Sequence, residues 1–505
     1  MREIAIVPIY QESGKQSYVN MRVVSQDEGI LRELLEHFTF EIENAKFHPL
    51  VKAKKWDGKI RLMKPNGVLY RGLKEEIQKL CKEREIDVID GMKDPKNAPD
   101  PERVKDILSE LKKHFSHPLY EHQILAWYQG ITKKRMTLVS PTASGKSLII
   151  YLIYKYFNQK TLLIVPNTNL VAQMKGDFLS YGCGEQEIQI LMGGESKELR
   201  ADTKILISTW QSLARLDKSF LQNFTVLVCD EVHRAAAKTL TKLAESMPSA
   251  DVRVGTTGSL DNIQSNRMTI QGLFGPIRQY VTTKELMDKG QVSNLVVHML
   301  FLDYIRDQRK MLHDECRQLR KLPDYKKGDT YRYEVDWLIE NESRRKFIQD
   351  FVMKLKGNTM VLFTRVERDG VRMYNEIIAN YPDRRVFLVH GGTETEDREE
   401  VRRLLEIEKN AVVIASIPCF ATGTNIKNLH NAIAIASTKS IIAILQSIGR
   451  ILRLSQDKIE AHWFDIVDDL RVGSHSNYAF KHAEERYRIY QHEQFTIKTE
   501  KFTIR

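Results

Sequence analysis

Lys146 and Ser147 close the run Ser140-Pro141-Thr142-Ala143-Ser144-Gly145, and Asp230 and Glu231 open a second run that continues Val232-His233. A Gly-Lys-Ser turn between two apolar stretches has the residue types that hold a nucleoside triphosphate. Backbone N–H groups from Thr142, Ala143, Ser144 and Gly145 can wrap phosphate oxygens. The Lys146 ammonium can reach the β- and γ-phosphates, and the Ser147 hydroxyl can ligate Mg²⁺. The two carboxylates supply the complement: Asp230 to hold Mg²⁺ through water, Glu231 to orient an attacking water. Ser140 stands where the full phosphate-loop pattern has glycine. A lone Gly-Lys-Ser arises by chance in turns. Its pairing with Asp-Glu on a second strand favours an ATP site over two ordinary buried strands.

Those residues need a rigid frame. Thr137-Leu138-Val139 before the turn predicts a buried strand, and Leu148 to Tyr156 after it predicts a helix. The apolar run Thr225 to Cys229 puts Asp230 and Glu231 at a strand's carboxyl end, where open α/β sheets hold ligands. Further strand-like runs are Thr161–Val165, Ile188–Leu191, Ile205–Ser208 and Val252–Gly255. Alternating with helical stretches over 118–285, they predict a parallel, doubly wound domain. The alternation resumes over 344–470 with Thr359–Thr364, Val386–Val389, Val412–Ala415, Ala432–Ala436 and His462–Ile466, without a second phosphate loop. The charged stretch between, 286–343, reads as a helical connector, and 471–505 as a helix and tail.

Residues 1–95 predict a small α+β module. Ile4 to Tyr10 and Val19 to Val24 read as strands, Glu28–Phe38 and Leu73–Glu83 as helices. Lys64-Pro65-Asn66-Gly67 reads as a hairpin turn between Lys59–Met63 and Val68–Leu69. The proline-interrupted stretch 96–117 reads as a linker, with a short helix from Pro101.

Composition narrows the class. The chain has 505 residues, enough for about three domains, and 42% of them are hydrophobic. No apolar run approaches the ~20 residues that span a bilayer. Five scattered cysteines, none in a C-x-x-C pair, indicate neither a zinc site nor a disulfide framework and fit a reducing, cytoplasmic compartment. Cys229 and Cys419 read as small buried side chains. A net charge of +11 points to a polyanionic partner. The basic charge concentrates in residues 46–61, where Lys46, Lys52, Lys54, Lys55, Lys59 and Arg61 face one acid, Asp57, with Phe47, His48 and Trp56 interleaved. Such a surface can track a phosphate backbone and stack bases. Trp56 reads equally well as a core residue.

The order of motifs resembles superfamily 2 helicases over roughly residues 118–470. Besides the two motifs above, Tyr120-Glu-His-Gln123 precedes the phosphate loop, and Val165-Pro166-Asn167 and Ser208-Thr209-Trp210 resemble motifs Ia and Ic. Gly255-Thr-Thr-Gly-Ser259 stands at motif III, although the wider superfamily has Ser-Ala-Thr there. Val361-Leu-Phe-Thr364 and His390-Gly391-Gly392 resemble motifs IV and IVa. Ala421-Thr422-Gly423 resembles motif V, and Gln446-Ser-Ile-Gly-Arg450-Ile-Leu-Arg453 motif VI. The N-terminal Trp56-Asp57-Gly58-Lys59-Ile60-Arg61 and Gly290-Gln291-Val292 are similar to elements of the UvsW-type branch-migration helicases of tailed phages.

That resemblance implies two tandem RecA-like parallel-sheet domains behind the N-terminal module, ATP and Mg²⁺ as cofactors, and forked or branched DNA as partner. It implies that Gln123 reads adenine and that Arg450 and Arg453 act as arginine fingers, with Gln446 beside them. They share one face of a helical segment and act on ATP when the domains close. His233 is expected to couple the ATP site to motif III. Pro166, Thr209, Trp210, Gly391, Gly392, Thr422 and Gly423 are expected to touch the strand, and Lys52, Lys54, Lys55 and Trp56 to add grip on branched duplex. The expected agent is a monomeric ATP-dependent DNA helicase acting in a phage-infected cytoplasm, with no membrane association. The alternatives are an RNA-directed helicase of the same superfamily, a clamp that does not hydrolyse ATP, and a restriction-enzyme motor subunit.

Overall fold

The computed structural model describes all residues except 1, 43–44, 93–97, 116, 194–197, 234–237, 262, 327, 418, 420–425, 427, 437–439, 455–457, 459 and 505. The chain divides into two compact units, Met1–Ser140 with Ser144–Tyr280, and Pro141–Ala143 with Val281–Arg505.

The first unit opens with the N-terminal module. Strands β1 (Glu3–Tyr10) and β2 (Gln16–Val24) pair antiparallel and turn Ile4, Ile6, Val19, Met21 and Val23 inward at alternate positions. The helix Glu28–His37 follows, capped by Asp27 accepting from the Gly29 amide, and buries Ile30 and Leu34 against that sheet face. Short strands β3 (Thr39–Glu41) and β4 (Lys59–Arg61) form a separate pair. β5 (Val68–Tyr70) joins β2, and after the helix Lys74–Glu83, β6 (Asp87–Asp90) lies parallel to β1, giving the order β5-β2-β1-β6.

The turn expected at Lys64–Gly67 forms, with the Gly67 amide donating to Lys64 O at 2.9 Å. It closes a short hairpin, in which the Lys64 amide donates to Val68 O at 2.8 Å and Met63 bridges Leu69 antiparallel, while the flanking strands pair outward, β4 with β3 and β5 with β2. A Cβ on Gly67 would come within 2.1 Å of Val23 O, so the turn lies directly on β2 and feeds the chain along it.

The module is seated on the domain that follows. Gly72 lies so close to the helix Gln264–Phe274 that a Cβ would meet Gln271 O at 2.1 Å and Gly272 O at 2.6 Å. Tyr70 donates to Glu245 at 2.7 Å, Arg278 pairs with Glu75 at 2.6 Å, and the Tyr18 amide donates to Pro248 O at 2.8 Å.

That domain is built on seven strands: β7 (Arg135–Val139), β8 (Thr161–Val165), β9 (Ile188–Leu191), β10 (Ile205–Thr209), β11 (Val226–Asp230), β12 (Val252–Thr257) and β13 (Ile277–Gln279). Every pairing is parallel, in the order β13-β7-β12-β11-β8-β10-β9. Continuous apolar strands such as Thr161–Val165 are buried throughout because apolar clusters cover both faces. The sequence reading omitted β13.

The second unit holds β14 (Asn294–Tyr304), β15 (Thr359–Phe363), β16 (Val386–Val389), β17 (Val412–Ser416), β18 (Asn431–Ala434), β19 (Glu460–Asp469) and β20 (Thr496–Ile504). All pair parallel in the order β16-β17-β15-β18-β19-β14-β20. Two expectations are corrected here. The segment read as a helical connector contains the eleven-residue strand β14 before its helices Arg306–Leu319 and Asp329–Glu340. The C-terminal tail is β20, reached through the helix Tyr478–His492. That helix is tied to β19 by Arg486, which donates to buried Asp465 at 2.7 Å. Cys229 is buried as expected, whereas Cys419 is only half-buried.

Candidate active site

Lys146 begins the helix Lys146–Phe157 directly after the turn that follows β7. Gly145 caps that helix at φ +85° with no side-chain acceptor, and Ala143 is also left-handed at φ +68°. A left-handed alanine costs about 1–2 kcal/mol, so the turn is held by its surroundings. Ser140 accounts for its own departure from glycine. Its Oγ lies 2.6 Å from Ser144 Oγ, its amide donates to Thr257 O at 2.9 Å, and its carbonyl accepts from Lys146 Nζ at 3.1 Å. The hydroxyl thus cross-links the turn. Gln123, buried, also braces it: Nε2 donates to Ser144 O at 3.1 Å and Oε1 accepts from the Tyr120 amide at 3.0 Å. A Cβ on Gly145 would meet that Nε2 at 2.3 Å, so glycine is required for the amide to lie there.

Asp230 ends β11, one strand from β7 across β12, so both motifs reach the carboxyl rim of the sheet. Its buried carboxylate accepts from Thr256 Oγ1 at 2.6 Å. Burial and the neighbouring Glu231 push its pKa up to about 6, against the pull of Lys146. Glu231 adopts a left-handed φ of +51°, which turns it away from the strand. Its Oε2 lies 3.1 Å from His233 Nδ1, and that nitrogen lies 2.9 Å from Thr257 Oγ1. His233 therefore lies between Glu231 and Thr257, linking the Asp230–His233 run to the Gly255–Ser259 run. The group fits a hard cation with a triphosphate: oxygen donors Ser147, Asp230 and Glu231 beside an ammonium and a helix N-terminus without a side-chain cap.

Three family models match the chain: "DNA helicase UvsW, N-terminal" over residues 15–90, "Type III restriction enzyme, res subunit" over 98–261, and "Helicase conserved C-terminal domain" over 343–455. The ATP-dependent DNA helicase uvsW of Enterobacteria phage T4 is 31% identical over 93% of this chain and 95% of its own. The chain belongs to the UvsW helicase family. A DNA 3'-5' translocase XPB2 of Sulfurisphaera tokodaii is 22% identical over 82% of this chain and 92% of its own. S. cerevisiae Dbp5, solved with RNA and ADP BeF3, shares the fold at 13% identity, with a TM-score of 0.53 over 80% of this chain and 94% of that one.

The other residues expected of a UvsW family member are distributed over both units. Pro166 follows β8 and Thr209 ends β10, both on the far side of β11 from the phosphate loop and on the same rim. Both are buried, and Trp210 is half-buried against the core. Thr209 accepts from the Ser212 amide and so caps a short helix. Gly391 and Gly392 follow β16 and are exposed. Thr422 and Gly423 lie outside the described residues. Gln446 and Arg450 lie on the helix Ile441–Ile451, but Arg453 lies beyond its C-cap, Leu452. The expectation of one shared helical face is corrected on this point. The Leu452 carbonyl accepts from the Ser293 amide at 2.7 Å, so the chain leaves the helix there.

In the module, Lys52, Lys54 and Lys55 are exposed. Trp56 is half-buried, with its indole N–H donating to Lys59 O at 3.0 Å and its ring edge-on to His48. Sequence reasoning missed Tyr181, whose hydroxyl lies 3.0 Å from Ser147 Oγ and whose pKa burial pushes up to about 12. It also missed His122, whose Nε2 lies 3.0 Å from Ser144 O. His122 neighbours Gln123 and could have been suspected. Nothing in sequence links Tyr181 to Ser147. Among the described residues no group of three or more His, Cys, Asp and Glu side chains is placed to hold a metal ion, and no helix is long and apolar enough to cross a membrane.

Proposed function

We propose that this chain is an ATP-dependent DNA helicase that unwinds or branch-migrates forked and recombination-intermediate DNA, acting as a monomer in the cytoplasm of a phage-infected host. The observation that carries the reading is the convergence, on one sheet rim, of Lys146, the Asp230–Thr256 pair and the Glu231–His233–Thr257 link. Thr142, Ala143, Ser144, Gly145 and Lys146 cradle the phosphates, and Gln123 supports that cradle while reading adenine. Ser147 and Asp230 would hold Mg²⁺, which when bound neutralises phosphate charge. Glu231 orients the attacking water and accepts its proton. His233 and Thr257 hold the carboxylate in place and connect it to motif III. Arg450 and Arg453, with Gln446, supply the positive charge that the transition state needs.

Residues 118–285 and 344–470, with β14 and β20 completing the second sheet, form the motor, and residues 1–95 grip branched duplex through Lys52, Lys54 and Lys55. Pro166, Thr209, Trp210, Gly391 and Gly392, with Thr422 and Gly423, hold the tracked strand. Trp56 has its indole N–H engaged within the module, so its contribution is to support the basic surface.

The test is ATPase activity stimulated by single strands, forks, four-way junctions and RNA. Lys146→Ala should abolish turnover, and Glu231→Gln should retain bound ATP without hydrolysing it. Near-normal DNA-stimulated turnover in either variant would remove the assigned site, and preferential stimulation by RNA would replace DNA as the substrate.

A further inference from the structure

Residues 45–58 form an ordered surface segment that exposes apolar side chains. Phe47 is 56% exposed and Leu50 44% exposed, although both are large hydrophobic side chains. The backbone beneath them is hydrogen-bonded at nearly every step: Ala45 to Ile42 O, His48 to Ala45 O, Lys52 to His48 O, Lys55 to Leu50 O. His48 Nδ1 accepts from the Leu50 amide at 3.2 Å, and its ring meets Trp56 edge-on. Gly58, at φ +79°, lets the returning chain close on this turn, because a Cβ there would lie 2.6 Å from Ala45 Cβ. Lys54 takes a left-handed φ of +54° to complete the loop. This much local ordering, with one aromatic ring left facing solvent, is the construction of a presented contact rather than of a core.

The charge of the segment specifies what it meets. Lys46 lies over the Phe47 ring at 5.3 Å. Lys52, Lys54 and Lys55 are exposed and have no ion-pair partner among the described residues. The nearby acid Asp57 is already committed to Arg61, which holds its pKa down at about 2. An exposed aromatic ring beneath one ammonium group, in a segment whose other lysines have no ion-pair partner among the described residues, matches a flat base surface flanked by phosphates.

We propose that Phe47 stacks on the base pair exposed at a DNA branch point, while Lys46, Lys52, Lys54 and Lys55 hold the phosphates on either side. This rests on the reading of residues 1–95 as the branch-gripping module. Phe47 would be the ring that caps the opened duplex end, and Trp56 its internal support.

The two components separate by salt. Stacking releases no counterions, so Phe47→Ala in the full-length protein should weaken four-way-junction binding about ten-fold, with the slope of log affinity against log salt unchanged. Phe47→Leu should behave like alanine in the stacking readout. Phe47→Trp should restore affinity, and its fluorescence should be quenched by a junction carrying 2-aminopurine at the branch. Lys52, Lys54 and Lys55 replaced together by Ala should instead flatten the salt slope by up to about 3. Junction affinity unchanged in Phe47→Ala, beside a flattened slope in the lysine variant, would overturn the stacking role alone. An unchanged slope in the lysine variant would overturn the module's grip on DNA. An equal loss of RNA-duplex binding in Phe47→Ala would overturn the assignment to a DNA branch.

Discussion

Asp230→Asn should make the nucleotide-free protein more stable, although it removes a residue assigned to the ATP site. Each pKa unit is worth about 1.4 kcal/mol. A carboxyl lifted from an ordinary 3.8 to about 6 therefore costs the folded chain about 3 kcal/mol once it is ionised. The cost is absent below pH 3.8, where the carboxyl is protonated whether folded or unfolded. It grows as pH rises toward 6, because only the unfolded chain has then released its proton, and it is complete above 6. Its origin is burial together with Glu231 next to it. Asn removes the charge and keeps an oxygen for Thr256 Oγ1, which now donates at 2.6 Å. The expected gain is about 3 kcal/mol at pH 8 and about 1 kcal/mol at pH 4.5. For a unit of this size that corresponds to a melting shift of about 6 °C at pH 8. Thermal unfolding in EDTA without nucleotide, run at several pH values, reads it directly. A loss of stability at pH 8, or a gain independent of pH, would refute the argument that this carboxylate is held against its own solvation to receive a cation.

Other outcomes follow from the same geometry. Arg450→Ala should lower turnover by orders of magnitude while changing ATP affinity little, because its charge acts mainly in the transition state; single-turnover hydrolysis at the parental rate would make it an ordinary ground-state contact. Tyr181→Phe frees the Ser147 hydroxyl 3.0 Å away. It should raise the Mg²⁺ concentration for half-maximal nucleotide binding by roughly 2- to 10-fold, the scale of one hydrogen bond, leaving binding in EDTA unaltered. A parallel loss in EDTA would mean that Tyr181 only packs. Gly72→Ala places a methyl against two backbone carbonyls that cannot rotate away. It should expose the N-terminal module to limited proteolysis while the isolated melting of the second unit stays unchanged, and parental protease resistance would contradict so tight a seam.

The parts of the molecule that were legible in the sequence are those whose role is set by local chemistry. A Gly-Lys-Ser turn between two apolar runs specifies a strand, a left-handed cap and a helix whatever surrounds it, and β7, Gly145 and the helix from Lys146 are where they were expected. The strands of the first α/β domain other than β13 were legible for the same reason: a short apolar run buried on both faces has no other good conformation, whereas β13 is only Ile277-Arg278-Gln279. β20 was not, because an edge strand of alternating Thr, Lys and Glu carries the charges that keep a sheet edge from pairing further, and those charges imitate a polar tail. β14 was missed although its run from Leu295 to Leu302 is apolar; the dense charge after Tyr304 drew the whole segment into a helical reading. Site residues divide along the same line. Lys146, Asp230 and Glu231 lie in contiguous motifs, whereas Tyr181 meets Ser147 only because two helices lie side by side. Trp56 and Phe47 belong to one basic run, yet Phe47 is exposed whereas Trp56 is half-buried with its indole N–H donating to Lys59 O. Spacing in sequence can nominate an aromatic for stacking, but which ring is engaged within the module depends on partners such as His48 and Lys59 O, which only the folded segment brings to Trp56.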